Sequence, residues 1–241
     1  PESLKYLVEK RPEGALEKIN KILVKLKKDT LPEMPVVATQ DEVESPGFFG
    51  GMVMLLAPQH RVRTLTLWAA FLMCFSTLYF LMSWIPKLME DAGFGVAVGR
   101  QAFFLFNLGG VMGIFLMGWM STNWRLTNLI FYMSVASAVF MVIFALAPEN
   151  LNSLLGLTLL IGILQQGGFT GLYATAAKAY PTAIRSTGIG WAIGLGRFGA
   201  VVGPAAAGYF IAAGLDMSAN YIIFAIPMAI GGLIAYRLHI D

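Results

Sequence analysis

Six stretches of about twenty mainly apolar residues, separated by short polar connections, constrain this chain of 241 residues more than any other feature. A helix needs roughly 20 such residues to cross the hydrocarbon core of a bilayer. The runs are predicted at Leu65–Ile85, Gln101–Met120, Leu126–Ala147, Asn152–Ala176, Thr187–Ala212 and Ala219–Arg237. They are continuous and do not alternate in polarity, so they read as helices rather than barrel strands. The expected fold is an all-α membrane protein built on a bundle of six transmembrane helices. Composition agrees: 57% of residues are hydrophobic and 13% charged, against about 25% charged in ordinary soluble domains.

The charge is unevenly placed. Residues 1–64 hold ten of the 17 Lys and Arg and nine of the 14 Asp and Glu. A polar segment, residues 1–60, therefore precedes a membrane domain, residues 61–241. Within the polar segment, residues 13–28 place Leu16, Ile19, Leu23 and Leu26 on one helical face with lysines on the others. That pattern predicts a basic amphipathic helix lying on the cytoplasmic surface or packing on the bundle, the alternative being a solvated linker helix. Residues 29–50, with Pro32, Pro35, Pro46, Asp41, Glu42 and Glu44, read as a flexible linker. The sequence opens on Pro1-Glu2-Ser3, without Met or a signal-peptide pattern, which is expected of a fragment or a processed chain.

Basic residues also predict topology. Arg61, Arg63, Arg125, Lys178, Arg185 and Arg237 fall at one set of connections, and only Lys87 and Arg100 at the other. Counting Lys and Arg puts the first set, and both termini, in the cytoplasm. A pI near 9.0 reports this bias and does not indicate nucleic-acid binding. Cys74 is a lone cysteine in an apolar run, and His60 and His239 flank the membrane domain without partners at metal-ligand spacing. No metal site, cofactor or catalytic residue is expected, and the glycines lie inside spans rather than after strands, so they form no nucleotide fingerprint.

Glycines recur four apart at Gly109 and Gly113, Gly167 and Gly171, Gly190 and Gly194, and Gly199 and Gly203. Such spacing lets helix backbones approach closely in lipid. Arg197 is the one charge deep inside a predicted span, about ten residues, hence about 15 Å, from its start. That is too deep to snorkel out, so the guanidinium is expected to face a cavity or a partner. Its planar fork suits a carboxylate, and the alternative is a structural Arg satisfied by carbonyls or by Gln165 and Gln166. Polar residues at mid-span form a second tier: Gln165, Gln166, Tyr173, Asn107, Ser76 and Tyr79, with Trp191 and Tyr79 able to stack on a ring. Trp68 and Trp84, near span ends, read as interfacial anchors.

Three motifs carry a family resemblance. Pro1-Glu2-Ser3-Leu4-Lys5-Tyr6-Leu7 resembles the segment after the sixth helix of sugar-porter-like carriers. Tyr180-Pro181 through Arg185-Ser186-Thr187-Gly188 resembles a YPxxxRSTG signature, and Gly196-Arg197-Phe198-Gly199 with Gly203-Pro204 a GRxGxxxGP pattern. The chain is similar to the major facilitator superfamily, from the central loop through helices seven to twelve, and most similar to its aromatic acid:proton symporters. The resemblance implies the C-terminal half of a twelve-helix carrier in an inner membrane, with Arg185, Gly188, Gly196, Gly199, Gly203 and Pro204 as gating or structural positions. It implies an anionic substrate, protons, and a missing N-terminal half as partners, the proton-binding acid belonging to that half. Thr122 and Asn123 depart from the family's GxxxDR loop pattern, which puts in doubt part of a charge network that holds one conformation closed. A sugar or other organic-ion carrier remains open, as does a receptor or scaffold derived from one.

Overall fold

The computed structural model describes residues 7–8, 12, 14–25, 28–34, 48–147 and 150–238. The sequence expectations at Pro1–Tyr6, Glu13, Leu26, Pro35, Asp41, Glu42, Glu44, Pro46 and His239 lie outside them. The chain divides into two compact units, Pro1–Gly47 and Phe48–Asp241. In the first, helix α1 spans Ala15–Lys25, burying Ala15 and Ile19 and exposing Lys18, Lys21 and Lys25. Asn20 holds the segment that follows: its amide donates to the Leu31 carbonyl at 3.0 Å and its Oδ1 accepts from the Leu31 N–H at 2.8 Å.

The second unit begins with a short helix, α2 (Phe48–Leu55), where the sequence had read the end of a linker. Two tertiary contacts explain it. The Thr187 methyl group packs so closely on Gly51 that a Cβ there would meet it, and the buried Thr64 hydroxyl donates to the Leu55 carbonyl at 2.9 Å. Six long helices follow: α3 (Arg61–Met89), α4 (Val96–Met120), α5 (Leu126–Leu146), α6 (Leu151–Ala179), α7 (Thr182–Ala212) and α8 (Met217–Tyr236). Each is long and apolar enough to cross a membrane. No strand occurs among the described residues.

The first of these helices does not stop at Pro86 as its sequence predicts. It runs on to Met89 and passes into a π-helical turn, Glu90–Phe94, that breaks at Gly93 and Gly95, both with φ above +80°. Lys87 and Asp91 pair across this end at 2.7 Å. Proline removes one backbone donor and crowds the preceding turn, yet a membrane helix tolerates it where neighbours cover the freed groups. Here the helix continues beyond the proline, the Pro86 carbonyl accepting from the Glu90 N–H, and α4 starts against this turn, with Gly99 packed on the same carbonyl. At the same end of the bundle, α6 and α8 are capped by side chains: Asn150 Oδ1 accepts from the Asn152 and Ser153 N–H groups, and Asp216 Oδ1 from that of Ala219. Each satisfies a donor that a helix start leaves unbonded.

The helices pack chiefly in three pairs, α3 with α7, α4 with α6, and α5 with α8. Small residues make the first two possible. In α4 and α6, Gly109 lies against the Leu159 carbonyl, Gly113 against that of Ile163, and Gly162 against that of Phe106. In α3 and α7, Gly199 lies against the Leu72 carbonyl and Gly203 against that of Ser76. No hydrophobic driving force pulls helices together in lipid, so this proximity supplies the dispersion contacts instead. The α5–α8 pair uses aromatics: Phe144 stacks on Tyr221 at 4.1 Å, and Phe80 of α3 on Phe224 at 4.0 Å.

Two helices are much less covered than the rest. Over their most apolar windows, α7 is 22% buried and α4 28%, whereas α3, α5 and α6 are half buried or more. Exposed apolar residues line one face of each, Phe104, Val111, Met112 and Phe115 on α4 and Phe198, Val201, Val202 and Tyr209 on α7.

Candidate functional site

Arg197 stands on the open face of α7, where the closely packed Gly196 and Gly199 turn the opposite face toward α3. Its Nη1 donates to the Tyr79 hydroxyl at 2.8 Å. The guanidinium carbon lies 5.4 Å from the centre of the Phe75 ring and 5.9 Å from that of Tyr79. Aromatic faces attract a cation at such distances. The charge is therefore held by one phenol and two π faces of α3, with other guanidinium donors left for a ligand. Gln165 and Gln166, the side-chain amides that a structural arginine was expected to use, lie apart from it.

The Phe75 ring belongs to a larger cluster. Phe169 of α6 meets it edge-on at 4.7 Å, Tyr173 meets Phe169 at 5.3 Å, and Phe71 meets Tyr173 at 5.3 Å. Arg197, Tyr79 and Tyr173 thus come together around Phe71, Phe75 and Phe169. Those three phenylalanines were not singled out from the sequence, because a phenylalanine in an apolar helix ordinarily signals packing. Their spacing held the missing signal: Phe71, Phe75 and Tyr79 recur every four residues, as do Phe169 and Tyr173, so each set lines one helix face.

The other candidates are placed apart. Gln165 is fully buried between α6 and α5, where its Oε1 accepts from the Ser137 hydroxyl at 3.2 Å. Gln166 packs on Gly110 of α4, its Nε2 buried without a partner. Asn107 donates to the Phe103 carbonyl of its own helix at 2.8 Å. Ser76 sits at the close α3–α7 crossing. Trp191 tilts over Trp68 at 6.2 Å and borders a cavity of about 560 Å³ with Ser186, Thr187, Gly190, Gly194, Leu195 and Phe198. That cavity begins beside Arg197 on the same open face. Gly190 and Gly194, expected as packing glycines, have open space before them. Trp84, expected to anchor at the interface, donates to the Pro204 carbonyl at 3.0 Å, and Trp68, expected to do the same, packs on Trp191.

The YPxxxRSTG residues build the corner between α6 and α7. Tyr180 is buried under Gly188, whose absent side chain makes room for the ring, and its hydroxyl donates to Thr64 Oγ1 at 3.2 Å. Burial pushes this phenol above its ordinary pKa, against smaller opposing effects of Thr64 and Arg63, so it stays neutral and available as a donor. Arg63 Nη1 donates to the Ala179 carbonyl at 2.8 Å, and Arg185 reaches the Tyr180 carbonyl at 3.3 Å and the Thr182 hydroxyl at 3.4 Å. Among the described residues the corner ties α3, α6 and α7 together without a carboxylate.

Residues 36–240 match the Major Facilitator Superfamily. Curated relatives include a benzoate transport protein of Acinetobacter baylyi, 28% identical over 96% of this chain and 49% of the relative. A 4-hydroxybenzoate transporter of the same organism is 31% identical over 84% of this chain and 44% of its own length. A gallate transporter of Pseudomonas putida is 30% identical over 72% of this chain and 38% of its own. The chain spans about half the length of the curated relatives it matches.

Proposed function

The chain belongs to the major facilitator superfamily, and from that premise we propose that it forms the C-terminal half of a secondary transporter for aromatic carboxylates. The observation that carries the reading is Arg197, a guanidinium at mid-helix on an open face, held by Tyr79 and bordered by a cluster of rings. A benzoate-type anion offers both complements, a planar carboxylate for the fork and a ring for the aromatic wall. The names of the relatives support the same substrate class. The wide uncovered faces of α4 and α7 suit a second six-helix half, and transport then proceeds by alternating access between the halves.

The remaining parts follow from the same reading. Both termini lie in the cytoplasm, since the positively charged connections do, in a bacterial inner membrane. Coupling to protons requires a titratable group in the cavity, and among the described residues the site around Arg197 has no carboxylate, so the acid is assigned to the other half. Arg185, Gly188, Gly196, Gly199, Gly203 and Pro204 act as structural positions around which α7 tilts. Trp191 lines the cavity beside Arg197, while Gln165, Gln166 and Asn107 are outer candidates, contributing to it only where helix movement brings them to its wall. A hexose carrier would need hydroxyl-directed amides at the site instead of an isolated cation.

The test is uptake of labelled benzoate and 4-hydroxybenzoate into cells expressing the full-length protein. Saturable uptake that is competed by benzoates, unaffected by hexoses and abolished by a protonophore is expected. Competition by hexoses alone would transfer the chain to the sugar carriers, and no flux of any solute would favour a receptor. Within the same assay, Tyr79→Phe removes the hydroxyl that steadies Arg197 while keeping the ring. One hydrogen bond is worth about 0.5–1.5 kcal/mol, so KM should rise about 3- to 10-fold with the maximal rate little changed. An unchanged KM would take Tyr79 out of the site.

A further inference from the structure

Gln166 of α6 carries a carboxamide that no described residue hydrogen-bonds. The head group lies flat on Gly110 of α4, where an added Cβ would collide with it. Its Nε2 is buried without a partner, and its Oε1 is neither buried nor hydrogen-bonded among the described residues. A side chain held this way has one end open. Gln166 belongs to a half-exposed stripe of α6 that continues through Thr170 and Tyr173, whereas its neighbours Gln165 and Gly167 are buried. The Thr170 hydroxyl donates to the backbone carbonyl of Gln166 at 2.8 Å, so it does not compete for the carboxamide.

Helix register places that open end level with Arg197. Helices α3 and α6 run antiparallel through the aromatic cluster, Phe71 against Tyr173 and Phe75 against Phe169. One more turn in the same sense carries α3 to Tyr79 and α6 to residues 165 and 166. Tyr79 is the phenol that accepts from Arg197. The cation of α7 and the carboxamide of α6 therefore stand at one height in the bundle, at the end of the wall formed by Phe75 and Phe169.

We propose that Gln166 selects ring-hydroxylated aromatic carboxylates. Its Oε1 accepts from the ring hydroxyl as helix movement brings α6 against a substrate whose carboxylate Arg197 holds. The inference rests on the transport reading above and narrows its substrate class. A bare benzoate ring in the same place covers the amide oxygen without giving it a donor, and burying an unsatisfied acceptor is costly. A half turn of the amide presents Nε2 instead, and a phenol accepts as well as donates, so both orientations favour the hydroxyl. A site built around such a bond discriminates against the analogue that lacks it. One amide beside a cation suits a single hydroxyl on an anionic ring, not the several of a hexose.

Uptake of labelled benzoate, 3-hydroxybenzoate and 4-hydroxybenzoate by the full-length protein, with KM measured for each, tests the proposal. The ratio of two KM values does not depend on how much protein reaches the membrane. In Gln166→Met, which keeps an unbranched stem over Gly110, KM for at least one hydroxybenzoate relative to benzoate should rise about 10-fold over wild type. Gly110→Ala pushes the carboxamide off its seat without removing it. It should move the ratio the same way by a smaller factor, and it stands in if Gln166→Met fails to accumulate. Gln165→Met, one residue away and buried against Ser137, should keep the wild-type ratio. Ratios unchanged for both hydroxybenzoates in Gln166→Met, or in Gly110→Ala where it stands in, would overturn the assignment and leave the transport reading in place. An equal change in Gln165→Met would do the same. Uptake of none of the three acids by wild type would overturn the transport reading itself, and the assignment with it.

Discussion

Uptake of benzoate-type acids is expected to fall by about 100-fold in an Arg197→Leu variant of matched membrane abundance. The substitution removes the cation while approximating its aliphatic stem, so α7 keeps its packing on α3 through Gly196, Gly199 and Gly203. On the proposed reading, what disappears is a charge-assisted pair with the substrate carboxylate. Truncating one partner of a desolvated, hydrogen-bonded charge pair costs about 2–5 kcal/mol, and about 2.7 kcal/mol is 100-fold. Arg197→Lys should recover only part of that loss. An ammonium keeps the charge but not the fork, and its compact charge sits differently on the Phe75 and Tyr79 faces. Robust uptake by the leucine variant would make Arg197 a structural residue and leave the aromatic cluster without its anion anchor.

Much of this was legible in the sequence because lipid narrows the choices. A run of twenty apolar residues has few alternatives to a spanning helix, and a charge placed ten residues into one demands an explanation. Ends were harder to read. Proline at position 86 looked like a stop, yet α3 continues past it, the Pro86 carbonyl accepting from the Glu90 N–H while Gly99 of α4 packs on it. Helix α2 was missed because Phe48–Leu55 has no polar face to give it a period, and its helix rests on Thr187 and Thr64 from elsewhere. At the site, the cation was conspicuous and its surroundings were not. Gln165 and Tyr173 looked equally able to meet a ligand, and only the packing separates a glutamine buried against Ser137 from a tyrosine beside Phe169.

The glycines pose the same problem, and the second large effect comes from them. Gly109 with Gly113, and Gly190 with Gly194, have identical spacing, but only the first pair meets a neighbouring backbone. A Cβ at Gly113 would fall inside the Ile163 carbonyl group, which cannot swing aside as a side-chain tip can. The α4–α6 pair would have to separate, losing the contacts at Gly109, Gly162 and Gly167 together. Overpacking a well-filled core costs about 1–3 kcal/mol for side chains that can shift, and a backbone obstruction falls at or above the top of that range. Gly113→Val should therefore lower Tm by about 10 °C or more, or prevent accumulation in the membrane. The contrast is Gly156→Ala, on the exposed side of α6 with nothing within 4 Å of the added carbon. Alanine is the better helix former by about 1 kcal/mol, so that variant should be as stable as wild type or more so. Comparing monodispersity and Tm of the two variants in detergent separates close backbone approach from a general requirement for glycine. Equal destabilisation would mean that these helices need flexibility rather than proximity, and equal tolerance would mean that α4 and α6 lie farther apart than their glycines imply.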